Sequence, residues 1–471
     1  MNVILTMSSF LFPLITFPYV SRILLPAGTG KVQFATSLIT YFNIFAQLGI
    51  PIYGVRAVAK VRDNREELTR VAHELLIINL IMSLVAYLFL AFCLITVPKL
   101  QDERTLYILM SSNILLSAIG MEWMYKGLEK YTYITVVSIF FKFLALILMF
   151  MFIHVQQDYM VYGAISVFAA AGSSVVNMIY ARHHIDMKPV GGYDLMRHKT
   201  AIMTFFAMAC ATTIYTNLDT LMLGFMKDEW EVGIYNASVK IKTILVSVVT
   251  SLGAVLLPRA SYYVEQNNMD EFKRLGTKAL TFVLLISIPI TLYFILYAKQ
   301  TILLVSGEAY LSSVPSMQWI MPTLILIGIT NILGIQILVP LGKENIVLQS
   351  EILGAVTDLV INALLIPKLG SVGAAVGTLM AELIVLIWQW KALYSYLGES
   401  VSGIHTFRFA AAAAVGCISS YWILYMHKGV FVTLLLTSFF FFGVYYLVLK
   451  LFKEPMVEEI EKTVFSVIHR L

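Results

Sequence analysis

The sequence predicts an all-α polytopic membrane protein, and three observations carry that reading. Of 471 residues, 59% are hydrophobic and only 13% are charged, with a mean hydropathy of +0.82. Soluble domains carry about 25% charged residues, so half of the usual solvating surface is missing. Uninterrupted apolar stretches of about 20 residues, each long enough to cross a bilayer, recur along the whole chain. The third observation is how the basic residues are distributed between those stretches.

Taken in order, about fourteen transmembrane helices are expected, at roughly 3–24, 33–54, 72–97, 105–125, 132–153, 159–181, 199–226, 234–257, 278–298, 314–339, 346–366, 371–396, 406–426 and 430–451. Short loops join them, and no large soluble domain intervenes. With both termini in the cytoplasm, the inside loops and tail hold 22 Lys and Arg and the outside loops hold eight. That bias is the positive-inside pattern and sets the orientation in the membrane. The net charge of +5 is therefore read through topology, not as a sign of nucleic-acid binding. Cys93, Cys210 and Cys417 lie far apart inside apolar stretches, a pattern of neither a disulfide framework nor a zinc site. The first stretch begins at Val3 with no basic leader and no cleavage pattern, so the true start is expected upstream of Met1.

One loop imitates a nucleotide site. In "LPAGTGKVQ" (25–33), Gly30-Lys31 invites comparison with the phosphate-binding loop Gly-x-x-x-x-Gly-Lys-Ser/Thr. The position of the first glycine is Leu25 and that of the hydroxyl is Val32, so both signature positions fail. The charge count also places the stretch outside the cytoplasm, as a tight turn.

That turn marks an internal repeat. A shift of 203 residues sets Gly30 on Gly233, Arg56 on Arg259, Ala57 on Ala260 and Arg70 on Lys273. The spans divide as six and six with two left over. Six is even, so the copies run in the same direction, as parallel repeats do in two-lobed transporters. The expected division is a six-helix lobe over 1–197, a second over 198–397, and two additional helices with an amphipathic cytoplasmic tail over 398–471. In the tail, Val457, Ile460, Val464, Ile468 and Leu471 share one side, as in a helix lying on the membrane.

Several stretches resemble the polysaccharide flippases of the multidrug/oligosaccharidyl-lipid/polysaccharide exporter superfamily. They are "FPYVSRILLPAGTGKVQFA" (17–35), "GMEWMYKGLEKYTYIT" (120–135), "YTNLDTLMLG" (215–224), "EVGIYNASVKI" (231–241), "IQILVPLGKEN" (335–345) and "NALLIPKLGSVGAAVGTLMAE" (362–382). The resemblance covers essentially the whole chain in order. It implies a fourteen-helix, two-lobed alternating-access fold that moves an undecaprenyl-diphosphate-linked oligosaccharide to the outer leaflet for a cell-surface polysaccharide. It implies no cofactor, and as partners the membrane lipids and the polymerase and glycosyltransferases of the same pathway. The chain departs from the family in lacking a short cytoplasmic leader and in reading "LLPAG" where Leu-Gly-Pro is frequent.

A flippase breaks no bond, but it must offer a diphosphate and a sugar chain a wet, cationic path. Charges at mid-membrane are costly and ask for a role. In the eighth span Asn236, Lys240, Thr243, Ser247 and Thr250 recur at helical spacing as one polar face. Lys242 lies about 200° round from Lys240 and is read as snorkelling. Thr36, Thr40, Asn43 and Gln47 form a similar stripe in the second span, and Thr6, Ser9 and Thr16 mark the first. Such stripes either line a cavity or bind helices together. Lys142 stands near the middle of the fifth span amid "IFFKFLAL" with no local neutralising group. Arg22 near the outer end of the first span either snorkels or grips phosphate, and Arg56 and Arg259 take matching cytoplasmic mouths, where they either select an anionic headgroup or serve as positive-inside anchors. The acids inside spans are Asp219, Asp358 and Glu382, all in the second lobe, with Glu122 and Glu351 nearer the cytoplasm. Each deep acid is read either as a site for a coupling proton or sodium ion or as half of a structural pair. His183-His184 is read as no metal site, Gly373-x-x-x-Gly377 as close helix packing, and "FFFFG" as lipid-facing bulk.

Two rival functions are weighed against this. A multidrug exporter of the same superfamily would share repeats and span count, but its cationic drugs favour an acidic cavity. A membrane polymerase or glycosyltransferase needs catalytic groups on a substantial external loop, and none is present in the sequence. The topology makes a direct prediction. Single cysteines placed at Lys31, Lys227 and Lys368 react with an impermeant thiol reagent from outside the cell and one at Asn268 does not; protection of the first three overturns the orientation.

Overall fold

The computed structural model describes residues 2–251, 253–401, 405–426 and 428–468, with side chains described outside 2–11, 253–255, 395–401 and 463–468. Thr6 and Ser9 of the first stripe, and Val464, Ile468 and Leu471 of the tail, thus lie outside the described side chains. Of the described residues 88% are helical, and no strand occurs among them. In hydrocarbon every backbone N–H and C=O must be satisfied within its own segment, which leaves the helix as the available open-chain solution. Among the described residues twelve helices are long and apolar enough to cross a membrane, and one bent pair, Glu308–Ile320 with Thr323–Leu338, adds a thirteenth crossing. One of the twelve, Phe12–Val61, is 50 residues long. At 1.5 Å per residue that is about 75 Å, more than twice a hydrocarbon core. Split at its break it supplies two crossings, in accord with the expected fourteen.

The chain forms two compact units, Met1–Gly233 and Ile234–Leu471. The first unit opens with α1 (Asn2–Gln47), whose helical path is broken at Leu25 (φ 57, ψ 176). Pro26 follows, with φ preset for a helical first turn and no N–H to leave unsatisfied. The "GTGK" stretch, expected as a loop, is therefore helical, and the turn is the single residue Leu25. A second break at Leu48 and Gly49, both with positive φ, leads into α2 (Ile50–Val61). Asn64 then caps α3 (Arg65–Thr96) by accepting from the backbone N–H groups of Glu66 and Glu67. The rest of the unit is α4 (Arg104–Ile119), the short α5 (Glu122–Gly127), α6 (Tyr131–Phe152), α7 (Tyr159–Ala171), α8 (Ser173–Ala181) and α9 (Lys199–Met226).

The boundary between the units falls in the first turns of α10 (Glu229–Thr250), next to a close contact between two glycines. A Cβ on Gly30 would stand 1.7 Å from the Glu229 carbonyl oxygen, and one on Gly233 would stand 1.9 Å from the Pro26 carbonyl oxygen. The two residues that the repeat sets in register thus meet backbone to backbone, and no side chain fits between. Around this contact Lys99 pairs with Glu229 at 2.8 Å, while Lys31 pairs with Glu103 and lies over the Tyr159 ring.

The second unit continues with α11 (Gly253–Glu265), α12 (Met269–Leu296), α13 (Ala298–Val305), α14 (Val314–Ile320) and α15 (Thr323–Asn331). A turn of π-helix follows over Ile332–Leu338, then α16 (Glu344–Leu369), α17 (Ser371–Val401), α18 (Thr406–Tyr421), α19 (Val430–Leu451) and α20 (Pro455–Ile468). Tyrosines tie the last helices to α12. Tyr293 O–H donates to the Leu434 carbonyl at 3.0 Å, Tyr297 to Ser420 Oγ at 2.8 Å, and Tyr445 to the Leu285 carbonyl at 2.7 Å. A buried phenol packs its ring and satisfies its hydroxyl at once. Phe441, expected on the lipid face, is fully buried against Tyr293, whereas Phe439 keeps that face at 74% exposure. The tail helix inserts Val457 into this core and pairs Glu459 with Lys278 and Glu461 with Lys450, each at 2.8 Å.

The glycine contact carries a prediction. Gly30→Ala and Gly233→Ala each destabilise the detergent-purified protein by roughly 1–3 kcal/mol or more, read as a lower thermal midpoint. Gly443→Ala, with nothing within 4 Å of its added carbon, leaves the midpoint in place; unchanged melting of both first variants shows the crossing to be dispensable.

Candidate functional site

The first unit holds a polar cavity of about 310 Å³. Its walls come from several helices and one helix break. The end of α1 supplies Thr40, Asn43 and Gln47; the break after it supplies Gly49, Pro51 and Ile52. Ser117 and Gly120 end α4, and Glu122, Trp123 and Lys126 come from α5, with Ser173 and Ser174 of α8 and Ala209 of α9 opposite. The helix breaks make this space. Gly49 (φ 72) lets the chain pass 2.5 Å, measured from its would-be Cβ, from the Phe206 backbone nitrogen. Met121 (φ 42) turns α5 out of line with α4. The ring of Trp123 is seated on Gly54 of α2, and Tyr125 O–H donates to the Asn177 carbonyl at 2.5 Å, so α5 is held on both sides.

Its electrostatics are balanced. Glu122 and Lys126 pair at 2.8 Å across one helical turn, and the other polar walls are amides and hydroxyls. Asn43 Oδ1 lies 3.5 Å from Gln47 Nε2, which leaves most of both amides' hydrogen-bonding capacity for the cavity. Thr36 and Thr40 donate to the carbonyls of Val32 and Thr36, so their hydroxyls are satisfied on their own helix.

The residues singled out in the sequence divide between the units. Asn43 and Gln47 are brought together on the cavity wall. Lys142, read as lacking a local neutralising group, is half-buried on α6 and has interaction partners; the charge of Glu122 acts on it, which links it to the cavity. Arg22 is exposed and donates to its own Pro18 carbonyl at 2.6 Å, and Arg56 is exposed on α2. Asp219 is buried on α9 at 8% exposure. In the second unit Asn236 is buried on α10, Lys240 and Lys242 are half-buried on it, and Arg259 is exposed on α11. Thr243, Ser247 and Thr250 each donate back to a carbonyl of α10. Asp358 and Glu382 are buried at 2% and 5% exposure. Asp358 and Asn362 sit where α17 closes on α16: a Cβ on Gly377 would lie 3.1 Å from the first and 2.1 Å from the second. Gly373 meets the Leu365 carbonyl in the same way, so this glycine pair is the close packing its spacing announced.

One charged centre escaped the sequence reading, which placed every deep acid in the second lobe. Glu74 of α3 is fully buried in the first unit. Its carboxylate accepts from Arg197 at 2.5 and 2.9 Å, from His198 Nε2 at 2.8 Å and from the Asp194 backbone N–H at 2.8 Å. On the far side of the ring, Nδ1 is hydrogen-bonded to the Tyr53 hydroxyl, 2.7 Å away. The only signal was a carboxylate two residues into an apolar run. The adjoining loop is laid along α3 by Arg65–Asp186 at 2.9 Å and by His73–Tyr193 at 3.0 Å. His184 on that loop is held below the usual imidazole range by burial first and then by Lys130, and no group of three or more metal-ligating side chains assembles among the described residues.

Comparison with known proteins follows this geometry. The family described as polysaccharide biosynthesis protein matches residues 1–264, and the MatE family matches 204–364. A candidate O-antigen transporter of Escherichia coli (strain K12) is 23% identical over 380 residues, 80% of this chain and 91% of that protein. Its counterpart in Shigella dysenteriae is 24% identical over 82% of this chain and 96% of its own. Among solved structures, the lipid II flippase MurJ in an inward closed conformation superposes with a TM-score of 0.74 at 13% identity, over 97% of this chain and 100% of that one. An inward-facing multidrug resistance transporter of the MATE family gives 0.64 at 14% identity, over 82% and 94%. These likenesses fix the fold.

The buried centre yields a prediction. Glu74→Ala strands Arg197 and His198 and destabilises the protein by roughly 3 kcal/mol, the low end for removing one partner of a buried pair because Arg197 is itself partly exposed. Thermal unfolding measures it, and a midpoint equal to wild type disproves the role.

Proposed function

The chain belongs to the family of polysaccharide biosynthesis proteins, membrane transporters of the multidrug/oligosaccharidyl-lipid/polysaccharide exporter superfamily. From that premise we propose that it moves an undecaprenyl-diphosphate-linked oligosaccharide from the inner to the outer leaflet of the cytoplasmic membrane by alternating access. The observation that carries the reading is the polar cavity of the first unit, sunk among helices whose outer faces are as apolar as Ile108 of α4 (62% exposed) and Ile179 of α8 (58%). Such a wall shelters a hydrated headgroup while a prenyl tail stays in lipid. Lys142, coupled to the cavity through Glu122, supplies the cation a diphosphate needs, and Lys240 does the same from the stripe of α10.

In this reading 1–197 and 198–397 are the two lobes, 398–471 the added helices and tail, and both termini are cytoplasmic. Arg56 and Arg259 attract the anionic headgroup at matching mouths. Asp219, Asp358 and Glu382 are the sites where a proton or sodium ion drives the return step. The substrate comes from glycosyltransferases and leaves to a polymerase. A multidrug exporter is not favoured, because the cations singled out here call for an anionic cargo.

Replacing Lys142 or Lys240 with alanine abolishes glycan export at normal protein abundance, whereas Lys242→Ala is mild and arginine at either position restores part of the activity. Cell-surface glycan measured against membrane-protein level is the readout. Normal export by both alanine variants refutes the cationic path, and resistance to cationic dyes is then the assay for the rival function.

A further inference from the structure

Resting on the flippase reading above, we infer that the cavity of the first unit is a subsite for the sugar end of the cargo, selective for uncharged, hydroxyl- and amide-bearing saccharides, and does not hold the diphosphate. The first argument is the chemistry of the walls. Asn43 and Gln47 present carbonyl acceptors and N–H donors side by side, and Ser117, Ser173 and Ser174 add hydroxyls that both donate and accept. A sugar offers the same mixed inventory at every carbon. A diphosphate offers only acceptors, and half of each amide would face it with like polarity.

Charge is the second argument. The two ionised wall residues, Glu122 and Lys126, neutralise each other at 2.8 Å. An anion entering here would have to break that pair or sit beside the Glu122 carboxylate. A neutral polyol can bridge both ends of the pair without disturbing it. Lys142, half-buried on α6 and outside this lining, is the better match to the diphosphate.

The third argument is size. The volume, about 310 Å³, is at the low end for ligand pockets and admits one or two sugar rings, not a whole repeat unit.

The test uses the full chain in lipid nanodiscs and two probes: a short polyprenyl diphosphate, bare or carrying N-acetylglucosamine. Equilibrium binding of each to wild type gives a ratio, expected to favour the sugar-bearing lipid by about tenfold, one or two hydrogen bonds' worth. Asn43→Ala and Gln47→Ala, each checked for wild-type melting, bring that ratio towards one. Lys142→Ala weakens both lipids together and keeps the ratio. Equal binding of the two lipids to wild type overturns the subsite while leaving the flippase reading in place. Failure of wild type to bind either lipid overturns the flippase reading itself, and a ratio that survives both amide variants removes the subsite from this cavity.

Discussion

A polar group has no water to turn to inside hydrocarbon, and the arrangement of this chain follows from meeting that constraint one group at a time. The backbone meets it by helix formation, and the chain departs from the helix at few points. Threonines and serines on the membrane helices meet it locally, returning their hydroxyl protons to a carbonyl a turn away, as Thr36, Thr40, Thr243 and Ser247 do. Tyr293, Tyr297 and Tyr445 meet it over a distance, and in doing so fasten α18 and α19 to α12. Glu74 meets it with a guanidinium, an imidazole and a backbone N–H on one carboxylate. All three donors come from residues 194–198, at least 120 positions further along the chain. The same need that buries the acid therefore pins the loop.

Where helices break, function becomes available. Leu25 ends one run so that Pro26 can begin another, and Gly30 and Gly233 then bring two helices together with no side chain between them. Leu48 and Gly49 interrupt the second crossing beside the aromatic pair Phe205 and Phe206, and Met121 turns α5 across the end of α4. Continuous helices at these two places would close the space that Asn43, Gln47, Ser117 and Trp123 surround. The cavity is thus a consequence of strained or glycine-permitted backbone at element ends, a frequent setting for binding sites.

The sequence was informative about the site in proportion to how local the signal was. The stripe Thr36, Thr40, Asn43, Gln47 is a periodicity within one helix, and its amides do reach the cavity wall. Glu122 and Lys126 are one turn apart in a quoted motif, but nothing local says that Ser173 and Ser174 face them. Lys142 looked isolated because only neighbours in sequence could be inspected; the charge that acts on it is twenty positions back, on another helix. Glu74 was passed over for a related reason. A carboxylate at the start of an apolar run reads as a residue at the water interface until Asp194, Arg197 and His198 are folded over it.

Composition and pattern by themselves determined that this is a helical membrane protein with about fourteen crossings, since hydropathy and length decide what a bilayer accepts and neither depends on which helix touches which. Motif order alone pointed to the exporter superfamily, and the glycines at 30 and 233 were visible as a repeat. Tertiary structure decided the rest: that the "GTGK" stretch is helix rather than loop, that Phe441 belongs to a core and Phe439 to the lipid, that Glu74 is a buried hub, and that several helices far apart in the chain enclose one polar cavity. Each of these depends on contacts between residues far apart in the chain, and in a membrane the outside of the bundle is as apolar as its core. Hydrophobicity therefore says which segments enter the bilayer, and only packing says which face of each turns inward.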